Sequence, residues 1–199
     1  MKHNAIKNIC VYCGAGMGVR PAYAEAARKL GRAMAAEKIG LVYGGASVGL
    51  MGEIAKAVME AGGRVIGIRP PDLPAHETPL EKIDELIHVQ SLHERKMLMF
   101  ERSDAFVALP GGVGTLEELV EQITWVQLGH HHKPVVIANV DGYWDPLLGL
   151  FDQMRDLGFI SSALGLNNLI VERVEDVIPL LRARPDGEEV ASELTRGLL

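Results

Sequence analysis

The stretch Pro110-Gly111-Gly112-Val113-Gly114-Thr115-Leu116-Glu117-Glu118 restricts this chain more than any other. It follows Ser103 to Leu109, an apolar run that reads as a buried strand. After it, Leu116, Leu119, Val120, Ile123 and Val126 recur at helical spacing, which predicts a helix from Leu116 to Leu128. A strand that turns through three glycines into a helix brings backbone N–H groups and a positive helix end to one point, where a phosphate can sit. Thr115 adds a hydroxyl and Glu118 a carboxylate one turn on. The same residues permit a plainer reading. Thr115-x-x-Glu118 has the spacing of a capping box, with the threonine capping and the glutamate bonding back. Spacing alone favours the cap, but a cap does not require Gly-Gly-x-Gly before it.

The pattern occurs again upstream. Asn8 to Tyr12 reads as a strand, followed by Gly14-Ala15-Gly16-Met17-Gly18 and a helix that Pro21 can open and that runs to about Glu37. Gly40 to Tyr43 reads as a second strand, followed by Gly44-Gly45 and a helix to about Ala61. Glycine-rich turns on parallel strands gather at the carboxyl edge of the sheet, where open α/β sheets bind ligands. The turn at Gly44-Gly45 is therefore a candidate ligand contact, although glycine there also suits tight packing of helix on strand. The first turn is not G-x-G-x-x-G, and no acid follows the second strand where a ribose would need one.

Gly63 to Ile68 reads as a third strand, and prolines from Pro70 to Pro79 mark an irregular loop that contains Glu77. Glu85 to Val89 reads as a short strand. Ser91 can cap a helix through Phe100 that carries Arg95 and Lys96 in its first turns, where the dipole disfavours cations. A nearby anion would explain the placement, and an arginine suits phosphate. From this segment alone, an exposed arginine paired with a neighbouring acid is the better reading. Pro134 to Val140, Trp144 to Leu157, Asn168 to Val171 and Glu175 to Arg182 read as strand, helix, strand and helix. Alternating strands and helices predict an α/β fold with a doubly wound parallel sheet. Residues 1–183 form one expected domain, and 184–199 read as a mobile polar tail.

A chain of 199 residues, 48% hydrophobic with 22 glycines, has enough apolar surface for one full core. The net charge of −6 argues against nucleic acid as a main partner. No window reads as a membrane span and no signal-peptide core precedes the first strand, so a cytoplasmic protein is expected. Cys10 and Cys13 form C-x-x-C, but Cys10 lies within a strand, and two cysteines cannot complete a zinc site. Structural thiols are expected, with no metal. His130-His131-His132 reads as a solvated loop.

Taken together, Leu92-His93-Glu94-Arg95-Lys96 and the P-G-G-x-G-T-x-x-E pattern at 110–118 closely resemble the Lonely Guy family of cytokinin riboside 5′-monophosphate phosphoribohydrolases. Cys10-Val11-Tyr12-Cys13-Gly14, Val42-Tyr43-Gly44-Gly45, Gly49-Leu50-Met51-Gly52, Ile123-Thr124-Trp125 and Asn139-Val140-Asp141-Gly142-Tyr143 extend the resemblance over most of the chain. It implies a Rossmann-like three-layer α-β-α domain, usually a homodimer, that needs no cofactor. The implied reaction is hydrolysis of the N-glycosidic bond of a nucleoside 5′-monophosphate, favouring N6-modified adenosines, to free base and ribose 5-phosphate. Arg95 and Glu118 match the catalytic pair, and Gly111, Gly112, Val113, Gly114 and Thr115 match the phosphate loop. Glu77, Lys96 and Thr124 match substrate-lining positions; Gly44, Gly45, Leu116 and Glu117 complete the expected binding set. The label lysine decarboxylase, which many relatives carry, would require pyridoxal phosphate and a Schiff-base lysine that no segment here obviously supplies. Departures are the missing serines in the first turn, Leu92 for a common methionine, and His131-His132 where an aspartate is usual. They bear on substrate preference. Two alternatives are a general purine-monophosphate nucleosidase and a nucleotide-binding module without catalysis.

Overall fold

The computed structural model describes residues 6–71, 80, 82–160 and 169–183. Seven strands, β1 (Asn8–Tyr12), β2 (Gly40–Tyr43), β3 (Val65–Arg69), β4 (Glu85–His88), β5 (Ala105–Ala108), β6 (Val135–Ala138) and β7 (Ile170–Val171), form one sheet in the order β4-β3-β2-β1-β5-β6-β7. Every pairing is parallel. The helices are α1 (Pro21–Ala36), α2 (Gly49–Glu60), α3 (Leu92–Glu101), α4 (Val113–Gln127), α5 (Asp145–Asp156) and α6 (Val177–Ala183).

Side chains alternate across the pleat, so the inner strands feed two cores. Ile9 and Val11 pack with α1, α2 and α6, whereas Cys10 and Tyr12 pack with α3, α4 and α5. This gives the three-layer α-β-α arrangement and explains why the central strands read as unbroken apolar runs. Leu30, Met34 and Ile54, all fully buried on α1 and α2, each contribute about 1.5–3 kcal/mol through burial.

Element ends depart from the sequence reading in consistent ways. β6 spans Val135–Ala138 and β3 Val65–Arg69, shorter or shifted by one or two residues because ladder pairing, not apolarity, ends a strand. The last helix is preceded by a 3₁₀ turn at Val174–Asp176. The largest difference is α4, which starts at Val113, inside the glycine-rich turn, rather than at Leu116. Glu77, the 184–199 tail and Asn168 lie outside the described residues.

Candidate active site

The sheet order places the first glycine turn and the motif turn side by side. The chain runs outward from β1 through β2 and β3 to β4, then crosses back by α3 to β5 on the other side of β1. The two turns therefore diverge at a switch point, the usual ligand crevice of such sheets. Gly14 N donates to the Pro110 carbonyl at 3.1 Å, and Leu109 N donates to Tyr12 O at 2.9 Å. A cavity of about 290 Å³ opens here, lined by Gly16, Met17, Leu50, Pro110, Gly111 and Tyr143 among others.

At the start of α4, Gly112 occupies the N-cap in an extended conformation, and no side chain caps the helix. The first intrahelical bond runs from Leu116 N to Gly112 O at 3.0 Å. The Val113, Gly114 and Thr115 amides lie ahead of that bond, at the positive end of the dipole. Thr115 is the third helical residue, 4% exposed. It is not an N-cap, so the capping-box alternative fails: the helix begins too early for Thr115 to cap it. Gly111 is obligatory for space. A Cβ there would collide with the Thr115 hydroxyl and lie 2.8 Å from Gly14 N. The Tyr143 hydroxyl donates to the Gly111 carbonyl and fixes the turn from the far side.

Arg95 reaches this point from α3. Its Nη2 lies 3.7 Å from Glu118 Oε1, with the two side chains 12% and 13% exposed. The exposed pairing that the α3 segment alone suggests is thus corrected, because α3 packs its Arg95 side between α4 and the sheet edge. Gly44 explains how the guanidinium fits: a Cβ on Gly44 would collide with Arg95 Nη2. Burial pushes the Glu118 carboxyl up to about 7, against the lowering pull of Arg95. Lys96 lies on a different side of α3, with Nζ 2.5 Å from Glu117 Oε1 and 2.8 Å from Glu121 Oε1. Burial draws Lys96 down, but its two carboxylates raise it overall and keep it an ammonium ion.

Arg95, Lys96, Glu117, Glu118, Gly44, Gly45 and the 111–116 turn converge at the carboxyl edge. Thr124 does not. It lies six residues beyond Glu118, about 9 Å along α4, exposed, with its hydroxyl bonded to Val120 O at 2.7 Å. Sequence reasoning missed Glu121, although its spacing of four from Glu117 places both on one helical side. It also missed His131, which is not solvated but 7% exposed, 5.1 Å from the Phe100 ring and bonded through Nδ1 to Lys133 N at 3.1 Å. Burial pulls the imidazole down to about 4. Cys10 and Cys13 are both buried, one in each core, and burial pushes both thiols well up. Among the described residues no group of three His, Cys, Asp or Glu could hold a metal ion.

An uncapped helix start at the switch point, with a buried arginine–glutamate pair beside it, defines a Rossmann-type protein suited to an anionic ligand next to a titratable acid. The chain belongs to the Lonely Guy family, whose model, described as "Possible lysine decarboxylase", matches residues 51–181. Probable cytokinin riboside 5′-monophosphate phosphoribohydrolase LOGL9 of Oryza sativa subsp. japonica is 54% identical over 77% of this chain and 68% of its own length. Cytokinin riboside 5′-monophosphate phosphoribohydrolase LOG7 of Arabidopsis thaliana is 45% identical over 94% of this chain and 87% of its own. Among solved structures, the molybdenum cofactor binding protein of the phototrophic bacterium Rippkaea orientalis superposes with a TM-score of 0.66 at 26% identity, covering 90% of this chain and 98% of that one.

Proposed function

We propose that this chain hydrolyses the N-glycosidic bond of adenosine 5′-monophosphates, N6-modified ones included, releasing the free base and ribose 5-phosphate. The observation that carries this reading is the buried Arg95–Glu118 pair beside the uncapped start of α4. The relatives' names point to the same chemistry.

In the mechanism, the 5′-phosphate rests on the Val113, Gly114 and Thr115 amides, with Gly111 and Gly112 shaping the approach. The reaction passes through an oxocarbenium-like state. Glu118, as carboxylate, stabilises that cation and takes the proton of the attacking water. Arg95 offsets part of the cost of burying the Glu118 carboxylate and orients phosphate or ribose oxygens, so that binding energy remote from the bond serves the reacting carbon. Lys96 and Glu117 line the entrance, and Glu77, carried over from the family pattern, completes the substrate set. A decarboxylase reading is disfavoured by Lys96, because a Schiff-base lysine needs a lowered pKa and this one is raised.

The unit proposed is residues 1–183 as one catalytic domain in a cytoplasmic homodimer. Val120, exposed on α4, and Leu128, the exposed residue that ends it, lie on either side of Thr124 and offer apolar surface for a second copy. No helix among the described residues is long and apolar enough to cross a membrane.

The test is release of base from AMP and from isopentenyl-AMP by the wild type, Arg95→Ala and Glu118→Gln. Both variants are expected to stay folded and to lose turnover, Glu118→Gln with substrate affinity kept. If the wild type binds AMP and releases nothing, the non-catalytic nucleotide module takes over. Equal rates on plain and N6-substituted AMP favour the general nucleosidase.

A further inference from the structure

Around the Gly44–Gly45 turn, three polar groups share a property. Arg69 Nη1, Arg95 Nε and the Tyr43 hydroxyl are shut off from solvent, and none has a hydrogen-bond partner. All three can donate. Arg95 lies against Gly44 from the α3 side. Arg69, the last residue of β3, packs on the other side, its Cβ 3.4 Å from where a Gly45 Cβ would be. Tyr43, fully buried, immediately precedes the turn. Nearby arginines do find acids: Arg64 and Arg102 both pair with Glu85. Among the described residues no carboxylate lies within ion-pair distance of Arg69. Buried donors that the chain leaves unpaired are uncommon, and two arginines and a tyrosine gathered at one turn call for a partner from outside the chain. Two guanidinium groups, which cannot accept, and a hydroxyl that can donate fit a ligand edge made of acceptors.

The position says which part of a ligand that is. From β5, whose turn opens α4, to β3 is three strand spacings, about 14 Å. Arg95 and Glu118 lie between, over β1 and β2. A nucleoside monophosphate laid along this edge, with its phosphate on α4, puts its glycosidic bond at Glu118 and its base toward β3.

We propose that Arg69 is the base-side residue of the reaction: its guanidinium donates to the acceptor nitrogens of the purine and stabilises the base as it leaves. This rests on the phosphoribohydrolase reading above. As the C1′–N9 bond breaks, its electron pair goes to the purine. The oxygen of water bonds to C1′, and the water proton passes to Glu118. Arg69 holds the negative charge on the base until the base takes a proton from solvent or from Glu118, which restores the carboxylate.

The experiment compares AMP with p-nitrophenyl ribofuranoside 5-phosphate, whose leaving group needs no such help, on the full chain as wild type, Arg69→Met and Arg69→Lys. For Arg69→Met, AMP turnover is expected to fall by about 10²-fold or more, with little change on the nitrophenyl substrate. Arg69→Lys, which keeps the charge, should recover part of the AMP rate. Equal losses on both substrates, or no loss on either, overturn the proposal, because a structural arginine does not distinguish leaving groups. If Arg69→Met does not fold, the ratio of the two rates in Arg69→Lys decides, and an unchanged ratio overturns it. A wild type that cleaves neither substrate overturns the phosphoribohydrolase reading, and this one with it.

Discussion

Replacing Glu118 by glutamine tests the electrostatics of the site without reference to any substrate. In the unfolded chain this carboxyl titrates near 4.5, and in the native protein burial lifts it to about 7. Below pH 4.5 both states hold the proton. Between 4.5 and 7 the native state holds it and the unfolded state releases it, so the native state binds more protons and stability falls as pH rises. Above 7 the native protein carries a buried carboxylate that Arg95, at 3.7 Å, only partly compensates. A rise from 4.5 to about 7, at 1.36 kcal/mol per pH unit, amounts to about 3 kcal/mol of stability forgone above pH 7. Glutamine has the same shape and no titration. The stability of Glu118→Gln minus that of the wild type should therefore grow by about 3 kcal/mol from pH 4.5 to pH 8 and then level off. Urea unfolding at half-unit pH steps measures it, with any constant offset assigned to packing of the amide. A difference that stays flat across this range would falsify the raised carboxyl, and with it the view that the site holds Glu118 at a cost in stability.

Arg95→Met removes the cation that pulls Glu118 down, so the carboxyl should titrate about 1–3 pH units higher than in the wild type; carbon NMR of the labelled side chain reads this even where activity is lost. Gly44→Ala should displace the Arg95 guanidinium and cut kcat/KM nearly as far as Arg95→Ala, with a smaller loss of Tm, because the colliding atom is the end of a flexible side chain. His131, pulled below its ordinary value of 6.5 to about 4, should make the wild type less stable as pH falls through that interval. The corresponding slope should be absent from His131→Asn in thermal unfolding, and an equal slope in both proteins would remove His131 as the cause.

The architecture was legible because parallel strands buried on both faces and helices with one apolar stripe leave distinct periods in a sequence. The alternation of the two, with glycines at the joins, specified a doubly wound sheet before any contact was known. The pair at Arg95 and Glu118 was legible for a different reason: the two motif segments that carry it match a family pattern. Spacing on its own favoured a capping box for Glu118 and an exposed ion pair for Arg95.

Only the tertiary structure decided between those readings. Where α4 begins depends on the approach of Gly14 to Gly111, two residues 97 positions apart, and that approach turns Thr115 from a cap into a buried third residue. Whether Arg95 is buried depends on Gly44, in the turn that follows a strand two positions removed from β5 in the sheet. His131 is buried because Phe100 and Trp125, from α3 and α4, close over it. Arg69 gave no signal in sequence because its lack of an acid among the described residues is a property of its neighbours in space. Local pattern fixes the elements, since periodicity acts over one or two turns. The pKa values, the uncapped helix end and the unpaired donors arise from long-range packing, and they became visible only once the strands were in order.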